Sequence, residues 1–146
     1  MKKLLAIIVA VVMIAACSVT AFADTTNVSY NVDPTYTVSI PASVTLGDAD
    51  VTADITASDV LLEDGSQITV TLSAASNTAS GSTFNAKNGD STVTYTITGD
   101  SAIAVGDTVA TFTADGSKTL TFSAADKSAA TVAASHTETL TFTISA

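Results

Sequence analysis

The chain reads as an all-β protein, an antiparallel β-sandwich, and two features predict it. Apolar residues alternate with Thr, Ser or other polar residues at every second position in run after run between Val28 and Ile144. That is the period of strands with one dry face and one wet face. Turn pairs punctuate the runs at short intervals: Asp64-Gly65, Asn88-Gly89, Gly99-Asp100, Gly106-Asp107 and Asp115-Gly116. Spacing of this kind predicts about eight to ten short strands and a sandwich or barrel.

Taken in order, the chain opens with a basic start, Met1-Lys2-Lys3, an apolar run from Leu4 to Ala16, and small residues at Ala21 and Ala23 before the polar Asp24. This is the three-part layout of a bacterial-type secretory signal. The apolar run is shorter than the ~20 residues of a spanning helix. Cleavage after Ala23 would make residues 1–23 a signal peptide and residues 24–146 one secreted or cell-surface domain. The same segment also fits a lipobox, Ile14-Ala15-Ala16-Cys17. In that alternative Cys17 is lipidated and anchors the domain to the membrane.

Past the leader, Val28, Tyr30 and Val32 share one face of a strand that Asp33-Pro34 breaks. Tyr36, Val38 and Ile40 resume it until Pro41. Further strands follow at Ile68-Val70-Leu72, Val93-Tyr95-Ile97, Thr108 to Thr113, Leu120-Phe122 and Leu140-Phe142-Ile144. Asp115-Gly116, set between two alternating runs, is the clearest hairpin turn. Residues 73–82 are small and polar and read as a mobile loop. Alanine in residues 74–75 and 124–134 would allow a short helix or turn, though without a clear 3.6-residue period. No fixed-period repeat and no Pro-rich or Gly-rich linker divides the chain. The last strand at Leu140-Phe142-Ile144 is read without a hydrophobic tail or sorting signal after it, so covalent wall attachment through the C-terminus is not expected.

Composition narrows the function. The net formal charge is −9, and beyond residue 23 only Lys87, Lys118 and Lys127 oppose all 14 acidic residues. So acidic a domain repels phosphate backbones and anionic headgroups, which argues against a nucleic-acid partner. It also suits solubility outside the cell. The sole cysteine is Cys17, so core packing and strand pairing must hold the domain without a disulfide.

Tyr36-Thr37-Val38-Ser39-Ile40-Pro41-Ala42-Ser43-Val44-Thr45-Leu46 and Glu138-Thr139-Leu140-Thr141-Phe142-Thr143-Ile144-Ser145 resemble segments of small secreted surface proteins of low-GC Gram-positive bacteria. Those proteins are Ig-like or related to WxL-type cell-surface domains. The resemblance implies an Ig-like surface sandwich that contacts the wall or another surface protein. The chain has no Trp, so the Trp-x-Leu motif is missing and wall binding of that type transfers to no residue.

Candidate chemistry is sparse. His136 is the only histidine, and no Gly-x-Ser-x-Gly elbow accompanies it. It reads as an exposed strand-end residue. One histidine and no cysteine past residue 23 cannot build a zinc site. Asp48, Asp50 and Asp54, with Asp59 beyond, are the candidate calcium ligands, since calcium takes several oxygens on a bent loop. Ala53 stands where an EF-hand has its glycine, and a solvated acidic loop is the competing reading. Tyr30, Tyr36 and Tyr95 could stack on sugars, but their alternation with Val and Ile favours the core. An intramolecular isopeptide bond would need one of the three lysines buried beside an Asn or Asp, whereas their neighbours are polar. No phosphate loop or dinucleotide fingerprint appears, and no cofactor is expected.

The expectation is a non-enzymatic structural or interaction module of a bacterium, secreted or on the cell surface, with an adhesion role toward a surface protein or a wall carbohydrate. Two alternatives stand beside it. One is a pilin-like fibre subunit that self-assembles by strand addition through Thr25 to Ile40. The other is a carbohydrate- or calcium-binding module.

Overall fold

The computed structural model describes residues 27–146. The leader, its cleavage point and Cys17 lie outside the described residues. What is described is all-β, with every strand pair antiparallel. The strands are β1 (Thr35–Ser39), β2 (Val51–Leu61), β3 (Ile68–Ala75), β4 (Thr83–Asn88), β5 (Ser91–Thr98), β6 (Ala102–Ile103), β7 (Thr108–Phe112), β8 (Gly116–Phe122) and β9 (Leu140–Ser145). The larger sheet runs β1-β2-β8-β5-β4, with β6 added to β5, and the smaller runs β7-β3-β9.

Alternation explains the burial. Ile68, Val70 and Leu72 of β3 are buried, as are Ser91, Val93, Tyr95 and Ile97 of β5, while the residues between them are more exposed. The core gathers Ile68, Val70, Leu72, Tyr95 and Ile97 with Ile55, Phe84, Leu120 and Phe122 of the larger sheet and Val109 and Phe112 of the smaller one. Each fully buried aliphatic or aromatic side chain contributes roughly 1.5–3 kcal/mol. No helix forms among the described residues, and residues 124–134 are irregular. They run beside β5, through backbone hydrogen bonds between Thr94 and Asp126 and from Thr92 to Ala129.

Four sequence expectations are corrected. Asp115-Gly116 is not a hairpin turn, because β7 joins the smaller sheet while β8 joins the larger one. Gly116 lacks the left-handed φ that a type I′ turn demands. Tight hairpins lie instead at Asn88-Gly89, where Asn88 pairs with Ser91 and Gly89 has φ 58°, and at Gly99-Asp100, where Thr98 pairs with Ala102.

Second, Val51 to Leu61 is an 11-residue strand in a place that reads in sequence as an acidic loop. Its inward residues include Val51, Ala53, Ile55 and Ala57, and Asp54 faces out. A bulge at its far end puts Asp59 at φ 54°. Asp115 Oδ1 accepts the Val60 amide there at 2.8 Å. Third, no strand forms over residues 27–34. Fourth, residues 73–82 are not a loose loop throughout: β3 extends to Ala75, and Thr78 is only 4 % exposed.

Candidate functional site

Inward residues of the larger sheet line a half-open groove of about 640 Å³, within the size range of ligand pockets. Its floor is Ile55, Leu120 and Phe122 of the larger sheet. Leu140 and Phe142 of β9 line one wall, and Ile40, Val44 and Leu46, which follow β1, line it as well. Tyr95, His136 and Glu138 add polar groups.

Glu138 precedes β9 and shares the parity of Leu140 and Phe142, so its carboxylate turns inward. Oε1 accepts the Thr78 hydroxyl at 2.8 Å and the Asn77 amide at 3.2 Å. Oε2 accepts the Tyr95 hydroxyl at 2.9 Å and the Asn85 amide at 3.1 Å. One carboxylate thus ties β9 to the β3–β4 connection, β4 and β5. Bonds to a charged acceptor are stronger than neutral ones. The Tyr95 ring stacks between Phe84 at 5.5 Å and Phe122 at 6.2 Å. Burial, then the hydrogen bond to Glu138 and its negative charge, push the Tyr95 phenol well above its ordinary pKa of 10.0.

His136 is half-buried rather than exposed. Its Nε2 lies 2.7 Å from Ser91 Oγ and its Nδ1 lies 2.9 Å from the Ala134 carbonyl. A carbonyl only accepts, so in the neutral ring Nδ1 carries the proton and Ser91 donates to Nε2. Ser91 Oγ also accepts the Thr131 amide at 2.9 Å and the Val132 amide at 3.2 Å. With Ser91 2 % exposed, the pair anchors the segment before β9 to the start of β5. A nucleophile needs an open approach to its oxygen, and this oxygen is enclosed.

The candidate calcium ligands have separate partners. Asp48 forms an ion pair with Lys127 in solvent, whose hydrogen bond and charge hold its carboxyl below the usual value. Asp50 Oδ1 accepts the Ala124 amide at 2.9 Å. Asp54, on β2, accepts the Thr119 hydroxyl. Among the described residues no group of three or more His, Cys, Asp or Glu side chains gathers as a metal site would. Lys118 pairs with the exposed Asp100. Of the tyrosines, Tyr95 alone is core, while Tyr30 is 90 % exposed and Tyr36 is also exposed.

Sequence reasoning missed the Glu138 hub and the Ser91–His136 contact. A signal existed for both: each puts a polar residue at an inward position of an alternating run, where it must find partners. Models of known protein families, curated proteins and solved structures offer no match to this chain.

Proposed function

We propose that the protein is an exported, non-catalytic interaction module of a bacterial cell surface, its two sheets packed as an Ig-like sandwich. One observation carries the reading. The polar groups that chemistry would draw on, Glu138, Tyr95, His136 and Ser91, are bonded to one another's elements inside the fold. What stays open is an apolar groove beside a strand edge, ground that suits a macromolecular partner. The secretory layout of residues 1–23 and the acidic balance of the rest support a place outside the membrane. The sandwich packing draws support from a core that mixes inward residues of both sheets.

Protease treatment of intact producing cells tests this. The protein is expected to be digested from the surface, or found in the medium, with no lysis needed. Protection until the cells are lysed overturns the reading.

A further inference from the structure

β9 has β3 on one side and no strand on the other among the described residues. An open edge exposes a row of backbone donors and acceptors, and proteins usually guard it with charge or proline. Here Leu140–Ser145 contains neither. The groove runs along this strand, with Leu140 and Phe142 lining it and Ile55, Leu120 and Phe122 beneath. A fourth strand of the smaller sheet would lie there, its inward side chains over that floor.

The chain itself carries a segment of the right kind. In residues 27–32, Val28, Tyr30 and Val32 alternate with Ser29 and Asn31. No strand forms there, and the three apolar side chains are 92 %, 90 % and 60 % exposed. The segment has six residues and no charge, and β9 also has six residues and no charge. As strands both span about 20 Å. In a chain of net charge −9, two copies repel each other over most of their surfaces. Two uncharged strands are where they can meet. Proline has no ladder amide, so Pro34 ends the segment before β1, which is already paired with β2.

We propose that the groove receives residues 27–32 of a second copy of this chain, added as a strand to the free edge of β9. Main-chain hydrogen bonds to β9 supply affinity. Val28, Tyr30 and Val32 cover the groove floor, and Ser29 faces solvent. This rests on the interaction-module reading and names its partner. It also shortens the donor expected from sequence, Thr25 to Ile40, because Thr35–Ser39 already pairs with β2 of its own chain. Donor and acceptor are different surfaces, so the contact is heterologous and propagates as an open chain unless it closes on itself.

The test is the light-scattering mass of the exported protein over a range of concentrations, beside Val28→Asp and Tyr30→Asp variants. Both positions are exposed, so the variants keep the fold, which an unchanged thermal melt verifies. The expected result is a mass of several chains that Tyr30→Asp shifts to roughly thirtyfold higher concentration or more, as losing a central aromatic anchor does. A mixture of Tyr30→Cys and Ile144→Cys proteins is expected to form a disulfide-linked pair with one copy of each. A single-chain mass at every concentration, or self-association untouched by Tyr30→Asp, overturns the proposal. Either result with the protein still protease-accessible on intact cells leaves the module reading standing. Protease protection overturns that reading whatever the mass.

Discussion

At the scale of single residues, Glu138 decides most. Its carboxylate accepts hydrogen bonds from Thr78, Tyr95 and two backbone amides. Glu138→Ala leaves the buried Thr78 and Tyr95 hydroxyls without that acceptor. The expected cost is about 1–3 kcal/mol, read as a lower urea midpoint with an unchanged slope. Tyr95 adds a pH dependence. Its folded-state pKa lies above the ordinary 10.0, so the fold favours the protonated phenol. The stability this confers is complete below about pH 10 and is lost as pH rises further, since the unfolded chain gives up the proton first. The urea midpoint should fall above pH ~10 and fall less steeply in Tyr95→Phe, and equal slopes would contradict the assignment.

At the scale of elements, turns and bulges determine where each strand ends. Gly89 holds φ 58° in the β4–β5 hairpin, and nothing lies within 4 Å of where a Cβ would be. Gly89→Ala therefore costs backbone strain alone, about 1 kcal/mol in a thermal or urea melt. The bulge in β2 puts Asp59 in the same region. Asp tolerates it, but a β-branched residue does not, so Asp59→Val should cost more than Gly89→Ala. The segment before β9 hangs on Ser91 through the Thr131 and Val132 amides and His136. In Ser91→Ala those two amides should exchange hydrogen faster while the Leu72 amide, deep in β3, holds its protection.

For the whole molecule, the unequal sheets matter most. The larger sheet has five strands in line and the smaller has three, and inward residues of the larger one line the groove together with β9. Phe84, fully buried, packs on Tyr95, and Phe84→Ala should destabilise the protein by about 3–5 kcal/mol in a urea melt. The sequence by itself determined the class of fold and most strands. Val70, Tyr95, Leu120 and Phe142 announce their faces through a period of two, a property of the chain's own geometry. The same local rule concealed β2, because Ala and Asp interrupt its apolar signal. It could not rank the turns, since an Asp-Gly pair favours a bend without stating whether the strands it joins share a sheet. Tertiary structure alone brought Glu138 to Thr78 and Tyr95, and His136 to Ser91. Among the described residues it also left β9 with no strand on its far side. These contacts join residues more than 40 positions apart, and which sheet a strand enters depends on how all the apolar faces can be buried together.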